Sequence, residues 1–277
     1  VSFFTCITSS FSNSSLLIKE DIGINIFCCG AVNESNVEQQ TNLMLKNGFN
    51  HTFGGSDDLS DNIIEKIQSK GITFDTLHLP FKGINGLYSE YEESKPIFKR
   101  ITDGIEKCAR HGISLGVLHL SSGKNPPLND RGIERFCRIL DHARELGVKI
   151  AFENLRTLGN ISYTFEKHED ALFCWDTGHE SCFTPKRQYI PLFGKRLAAV
   201  HLHDNNGIYD KDEHMIPYDG KIDFDKVAYQ LFDANYNGTL MLEVLKERNI
   251  LYENMSDDEY LKRASEAVLK LEKQIKG

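Results

Sequence analysis

Short apolar runs recur along the chain, separated by stretches whose apolar residues repeat at helical spacing. The runs predict strands over Ile22–Cys29, Phe49–Phe53, Ile72–Leu79, Ile113–Leu120, Val148–Glu153, Ala171–Asp176, Leu197–His203 and Thr239–Val244. Val37, Thr41, Met44 and Leu45 share one helical face, which Gly48 closes, and Ser35 with Glu38 has the spacing of a capping box. Ser60 can cap a second helix with Ile63, Ile64 and Ile67 inward and Gly71 as its stop. Pro96 marks the start of a third, with Ile97, Ile101, Ile105 and Cys108 on one face and Gly112 at its end. Phe136, Ile139, Leu140, Ala143 and Leu146 mark a fourth, which stops at Gly147. Ser256 and Glu259 open a last helix with Leu261, Ala264, Val268, Leu271 and Ile275 inward. The long loop from Phe81 to Ser94 has the length of a lid.

Strands that alternate with helices predict parallel βαβ units. Eight such units in 277 residues have the size of one (β/α)8 barrel, so the expected fold class is α/β, a single TIM-barrel domain over 1–277. Residues 1–20 fall outside the repeat and read as an extra N-terminal strand or arm. An open nucleotide-binding sheet would need a glycine-rich turn after the first strand, and Cys28-Cys29-Gly30-Ala31 is not one.

Composition adds bounds. Forty per cent hydrophobic and 26% charged residues are ordinary for a globular chain. The net charge, 32 − 40 = −8, disfavours general binding to nucleic acid and leaves a small molecule as the expected partner. Seven cysteines, an odd number with only Cys28-Cys29 adjacent, read as reduced thiols and a cytoplasmic location. No run approaches the ~18 apolar residues of a membrane span, and the first residues lack the basic start of a signal peptide. Self-association as a homo-oligomer is left open.

The strand ends carry the chemistry. His78, His119, Glu153, Asp176 with His179, His201 and Glu243 each follow an apolar run, and Asp212-Glu213-His214 lies between the last two strands. A barrel gathers such ends on one rim. Imidazole and carboxylate donors suit a divalent metal, zinc or manganese. A single strand histidine is as often a satisfied core group, and Asp212 with His214 also reads as a solvated loop. A carboxylate at the end of a buried strand is costly without a partner, which singles out Glu153 and Glu243. His203 and Asp204 are placed to orient ligands from behind. His51, His111, His142 and His168 read as structural or surface groups.

Glu153-Asn154-Leu155, Trp175-Asp176-Thr177-Gly178-His179, Val200-His201-Leu202-His203-Asp204-Asn205, Asp212-Glu213-His214 and Gly220-Lys221-Ile222-Asp223 together resemble the xylose-isomerase-like TIM-barrel superfamily. That superfamily includes sugar and sugar-phosphate isomerases and epimerases and the AP endonucleases of the endonuclease IV type (AP endonuclease family 2). The resemblance to the ketose epimerases implies one metal held by Glu153, Asp176, His201 and Glu243, with His179 on the substrate. It implies a metal-dependent isomerase or epimerase of a sugar, sugar phosphate or related polyol-derived ketone, in which Glu153 and Glu243 move protons through an enediolate. The alternative is an endonuclease-IV-like multinuclear zinc phosphoesterase, whose three-zinc set is matched by His78, His119, Glu153, Asp176, His179, His201, Asp212, His214 and Glu243. The local wording departs from the endonucleases at Leu77-His78-Leu79-Pro80-Phe81 and at His201-Leu202-His203-Asp204. Ser121-Ser122-Gly123-Lys124 can hold a phosphate or form a plain polar loop, and Phe81 and Tyr88 can cover the site.

Overall fold

Eight parallel strands pair in chain order in the computed structural model, which describes residues 21–277; the expected strand or arm over 1–20 lies outside the described residues. The strands are β1 (Ile22–Asn25), β2 (His51–Gly55), β3 (Thr73–His78), β4 (Leu115–Leu118), β5 (Lys149–Glu153), β6 (Leu172–Asp176), β7 (Leu197–His201) and β8 (Leu240–Leu242). β1 pairs with both β2 and β8. Just past β7, Leu202 closes the ring: its N–H donates to Met241 O at 2.8 Å, and Glu243 N–H donates to Leu202 O at 3.1 Å. The expected (β/α)8 barrel is the observed fold.

The helices are α1 (Val37–Lys46), α2 (Asp61–Ser69), α3 (Tyr91–Arg110), α4 (Asp130–Glu145), α5 (Leu158–Lys167), α6 (Thr177–Phe183), α7 (Ile190–Phe193), α8 (Phe224–Asp233) and α9 (Asp257–Lys276). Their buried stripes include Ile63, Ile64 and Ile67 of α2 and Phe136, Ile139 and Leu140 of α4, and join the core outside the barrel. Inside the barrel, Val117, Ala151, Cys174 and Ala199 form a separate small apolar layer. Side chains alternate along a strand. Two residues further on, the same face presents His119, Glu153, Asp176 and His201. The inner layer is therefore the floor on which the polar rim stands.

Several local expectations are corrected. Ser35 does not cap α1: its hydroxyl donates to Asn33 Oδ1 at 2.6 Å, and Asn36 takes the cap position without a side-chain cap bond. α3 starts at Tyr91 and runs through Pro96, its sixth residue, where the missing N–H leaves Glu92 O without its helical donor. The supposed lid is packed instead. Residues Ile84–Tyr88 form a 3-10 turn with Ile84, Leu87 and Tyr88 buried. Tyr88 does not cover the site, because its hydroxyl donates to Leu120 O at 2.8 Å. The box at Ser256 and Glu259 does form on both sides. Among the described residues no helix is long and apolar enough to cross a membrane, and the six described cysteines are free thiols.

The contact between α4 and the 3-10 turn yields a test. A Cβ at Gly132 would fall inside the Tyr88 ring. Ala ordinarily gains about 1 kcal/mol over Gly in a helix, whereas overpacking costs about 1–3 kcal/mol. With Tyr88 pinned at both ends, the clash should win. Gly132→Ala should lower the urea midpoint; a raised midpoint would show that the ring yields freely.

Candidate metal centre

His78 ends β3, Glu153 ends β5, Asp176 ends β6 and His201 ends β7, while His119 and Glu243 lie one residue past β4 and β8. Asp176 also caps α6, its Oδ1 accepting the His179 N–H at 2.6 Å, which sets His179 in the first helical turn. Asp212 and His214 come from the loop between β7 and α8. A cup of about 610 Å³ is lined by His78, His119, His179, Asp212, His214 and Glu243, among others. Glu153, Asp176 and His201 lie beneath it, each at most 2% exposed. The fold thus brings together all nine sequence candidates.

The centre of the cluster is Glu153. Its Oε1 lies 2.9 Å from His201 Nδ1, and its Oε2 lies 2.7 Å from His119 Nε2 and 3.2 Å from His78 Nε2. Glu243 Oε2 lies 2.9 Å from the same His201 nitrogen. Ligand atoms of Glu153, Asp176, His201 and Glu243 all lie within 4.8 Å of one another. Glu243 Oε2 is buried and receives no hydrogen bond. Three carboxylates, one imidazole and an unmet buried oxygen fit a divalent cation. His78, His119 and Glu153 form a second such group, and His203, His214 and Glu243 a third.

Three histidines have their tautomers set by backbone carbonyls, which only accept. His78 Nδ1 donates to Leu79 O at 2.9 Å, His179 Nδ1 to Asn154 O at 3.1 Å and His214 Nδ1 to Glu243 O at 2.7 Å. In each neutral ring Nε2 is then a lone pair. These nitrogens face carboxylates: His78 faces Glu153, while His214 and His179 lie 2.7 and 3.5 Å from Asp212 Oδ2. A lone pair against a carboxylate needs a proton or a cation between them.

With a proton in that role, the charges pull strongly. Burial disfavours imidazolium at His179, but Asp176, Asp212 and Glu153 raise it to about 10. Burial likewise opposes the shift at His203, which Asp176 above all raises to about 9, and at His201, where Cys174, Glu243 and Glu153 raise it well above its usual value. Burial wins at His119, pulling it down to about 4 despite Glu153. Burial also pushes the Asp176 carboxyl up; the charges of His179 and of His203, whose Nε2 lies at 3.0 and 3.1 Å, oppose it. Glu153 and Glu243 are held low against their burial, with the His201 charge as the main counterweight.

His203 backs Asp176 as its position implied. Asp204 does not orient a ligand: its carboxylate accepts the N–H groups of Asn205, Gly220 and Ile222 and so anchors the loop before α8. Ser122 N–H is taken by Asn85, and Lys124 pairs with Asp210, so the Ser121–Lys124 segment is tied into the rim. Phe81 does lie at the cup, its ring 4.5 Å from that of His119. His51 belongs to the far end of β2, between Asp75 and Asp21. Two contributors went unread in the sequence. Asn154 braces β6, donating to Asp176 O and accepting from Asp176 N–H. Cys174 brings its sulfur into the Glu153–His201 group, a placement its two-residue offset from Asp176 would have signalled.

Residues 43–271 match the family model for xylose isomerase-like TIM barrels. The chain belongs to the xylose isomerase-like TIM-barrel family. An uncharacterized Sinorhizobium fredii protein, y4fM, is 32% identical over 143 residues, which take in 48% of this chain and 44% of that protein. The match therefore spans under half the length of that relative. The uncharacterized protein MJ1311 of Methanocaldococcus jannaschii is 27% identical over 219 residues, 71% of this chain and 73% of its own. Among solved structures, D-psicose 3-epimerase with D-tagatose, from Clostridium cellulolyticum H10, superposes with a TM-score of 0.74 at 16% identity, covering 92% of this chain and 99% of that one. The IOLI protein with a binding zinc atom gives 0.72 at 15% identity, covering 91% and 97%. At these identities the two structures share the family fold.

The rim of this family member predicts a pH signature. A cation that takes the lone pairs of His179 and His201 must displace the protons that the carboxylates hold there at neutral pH. Binding should release protons and weaken as pH falls. Calorimetric titration with zinc or manganese, in buffers of different ionisation heat, should give a buffer-dependent enthalpy. A buffer-independent heat would contradict the charge assignment.

Proposed function

We propose that this barrel is a divalent-metal-dependent isomerase or epimerase of a sugar, sugar phosphate or related polyol-derived ketone. One observation carries the reading: Glu153 and Glu243 each approach His201 Nδ1 at 2.9 Å at the floor of an open cup. Glu153, Asp176, His201 and Glu243 would hold the ion, for which zinc or manganese suits the donors. Bound there, a divalent cation supplies Lewis acidity toward neighbouring carbonyl and hydroxyl oxygens. Glu243, whose Oε2 is unmet, takes the proton from the carbon beside the carbonyl. The C–H electron pair moves to the carbonyl, leaving an enediolate. Glu153 draws a proton from the His201 imidazolium and passes it to the same carbon in an epimerase, or to its neighbour in an isomerase while the hydroxyl proton shifts to the other oxygen, and Glu243 hands its own proton back to His201. His179, lining the cup, binds a substrate oxygen. The shared fold with D-psicose 3-epimerase and with the zinc-bearing IOLI protein supports the reading.

The test is proton exchange. Metal-loaded protein incubated in D2O with a panel of ketoses and their phosphates should label the carbon beside the carbonyl of its substrate. Glu243→Gln keeps the shape and removes the base, so it should cost ~10²–10⁴ in rate. Near-full activity in that variant would sink the two-glutamate mechanism.

A second reading is a multinuclear zinc phosphoesterase, with small phosphoesters as substrates. It is favoured by the carbonyl-pinned histidines: His78 belongs to the His78–His119–Glu153 group, and His179 and His214 turn Nε2 toward Asp212 Oδ2 at 3.5 and 2.7 Å. Metal content separates the readings: one ion per chain supports the isomerase, two or three the hydrolase. His119→Ala should spare the ion at Glu153 and Glu243. Loss of one equivalent in that variant, read by elemental analysis and zinc-edge anomalous scattering, would establish the second set.

A further inference from the structure

A second cavity, of about 360 Å³, opens behind α6 and shares no lining residue with the cup. Its walls come from α6, from the segment after it and from the start of α8. Four cations line it: Lys186, Arg187, Lys221 and Lys226. None of them joins an ion pair among the described residues, whereas Lys124 and Arg156 on the cup side share Asp210. The two carboxylates in the cavity wall are engaged. Glu180 Oε2 accepts Trp175 Nε1–H at 2.9 Å and Tyr189 N–H at 3.0 Å, and Asp223 caps α8 by accepting Lys226 N–H at 3.1 Å. Gln230, 7% exposed, supplies a second and independent feature: its amide nitrogen is buried in the lining without a hydrogen-bond partner.

Four cations without an ion pair among the described residues, against two carboxylates in the same wall, stand out on a chain of net charge −8. Ammonium and guanidinium groups beside an unmet N–H donor are complementary to an oxyanion with several acceptor oxygens. We propose that this cavity binds a phosphate-bearing anion, at a site separate from the metal centre. The inference does not depend on which reaction the cup performs. The wall is continuous with the rim, since Asn205 donates to Gly178 O at 2.9 Å and accepts the Ser181 hydroxyl at 3.0 Å. An occupant would therefore bear on Asp176 and His179 through α6 and through Trp175 at the end of β6.

Trp175, the single tryptophan of the chain, lines the cavity and reports on it directly. The experiment titrates the metal-loaded full chain with inorganic phosphate, then glycerol phosphate, at constant ionic strength. Tryptophan fluorescence and calorimetry are followed together, with glycerol as the neutral control. Saturable binding of both anions is expected, weakened at least tenfold in Lys186→Gln/Lys226→Gln at unchanged metal content, and unchanged in Lys124→Gln. Absence of calorimetric binding would overturn the proposal. So would binding that survives the double substitution but is lost in Arg248→Gln, because Arg248 lines the cup.

Discussion

Three carboxylates converge on one imidazole at the bottom of a cup, and most of this molecule is arranged around their mutual repulsion. Glu153, Asp176 and Glu243 approach within a few ångströms of one another and of His201, largely out of water. Like charges at that range oppose folding unless positive charge is supplied. The barrel supplies it through His201 between the two glutamates and through His203 and His179 against Asp176, while His78 and His119 lie 3.2 and 2.7 Å from Glu153. Whether protons or metal ions complete the balance, the imidazoles must be held in place beforehand. That is the role of the carbonyls of Leu79, Asn154 and Glu243.

The same demand explains features remote from the ligands. α6 can present His179 beside Asp176 because residue 178 is glycine, since a Cβ there would collide with the His203 ring. The loop that carries Asp212 and His214 has left-handed backbone at Asp210 and His214, a costly conformation for residues with side chains. It is held at its far end by Asp204, buried and bonded to three backbone N–H groups. The small floor of Val117, Ala151, Cys174 and Ala199 leaves room above it for the large polar side chains. Stability comes from the larger outer core, where bulky Ile, Leu and Phe residues pack between sheet and helices.

Strand order and strand ends were legible because a buried parallel strand reads as an apolar run, and a ligand-type residue at its end breaks the run visibly. Asp176 and Glu153 stand out for that reason. Features set by contacts far apart in sequence were not legible. Tyr88 looked like a lid residue because nothing local reveals that its hydroxyl meets Leu120 and its ring meets Gly132. Ser35 had the right spacing for a capping box, but Asn33 competes for its hydroxyl from two residues away. Asp204 followed a ligand-rich strand and was read as part of the site, whereas its partners lie on a loop far along the chain. Asn154 passed unnoticed because an amide that braces a neighbouring strand leaves no periodic mark.

Net charge was the weakest guide. A sum of −8 describes the average surface, but screening over about 8–10 Å means that a ligand senses only its neighbourhood. On the cup side, Arg100 pairs with Asp57, and Lys124 and Arg156 share Asp210, so much of that rim is electrically settled within the chain. Arg248 is the looser group there, 4.0 Å from Asp212 Oδ2 and half exposed. Behind α6 the balance reverses, with four cations and, among the described residues, no ion pair. The chain spends its carboxylates at the metal centre and on the outer surface, and leaves two cationic features unneutralised beside cavities. The sign of a binding site is decided by which charges the fold pairs off, and that is a property of the packed rim rather than of the composition.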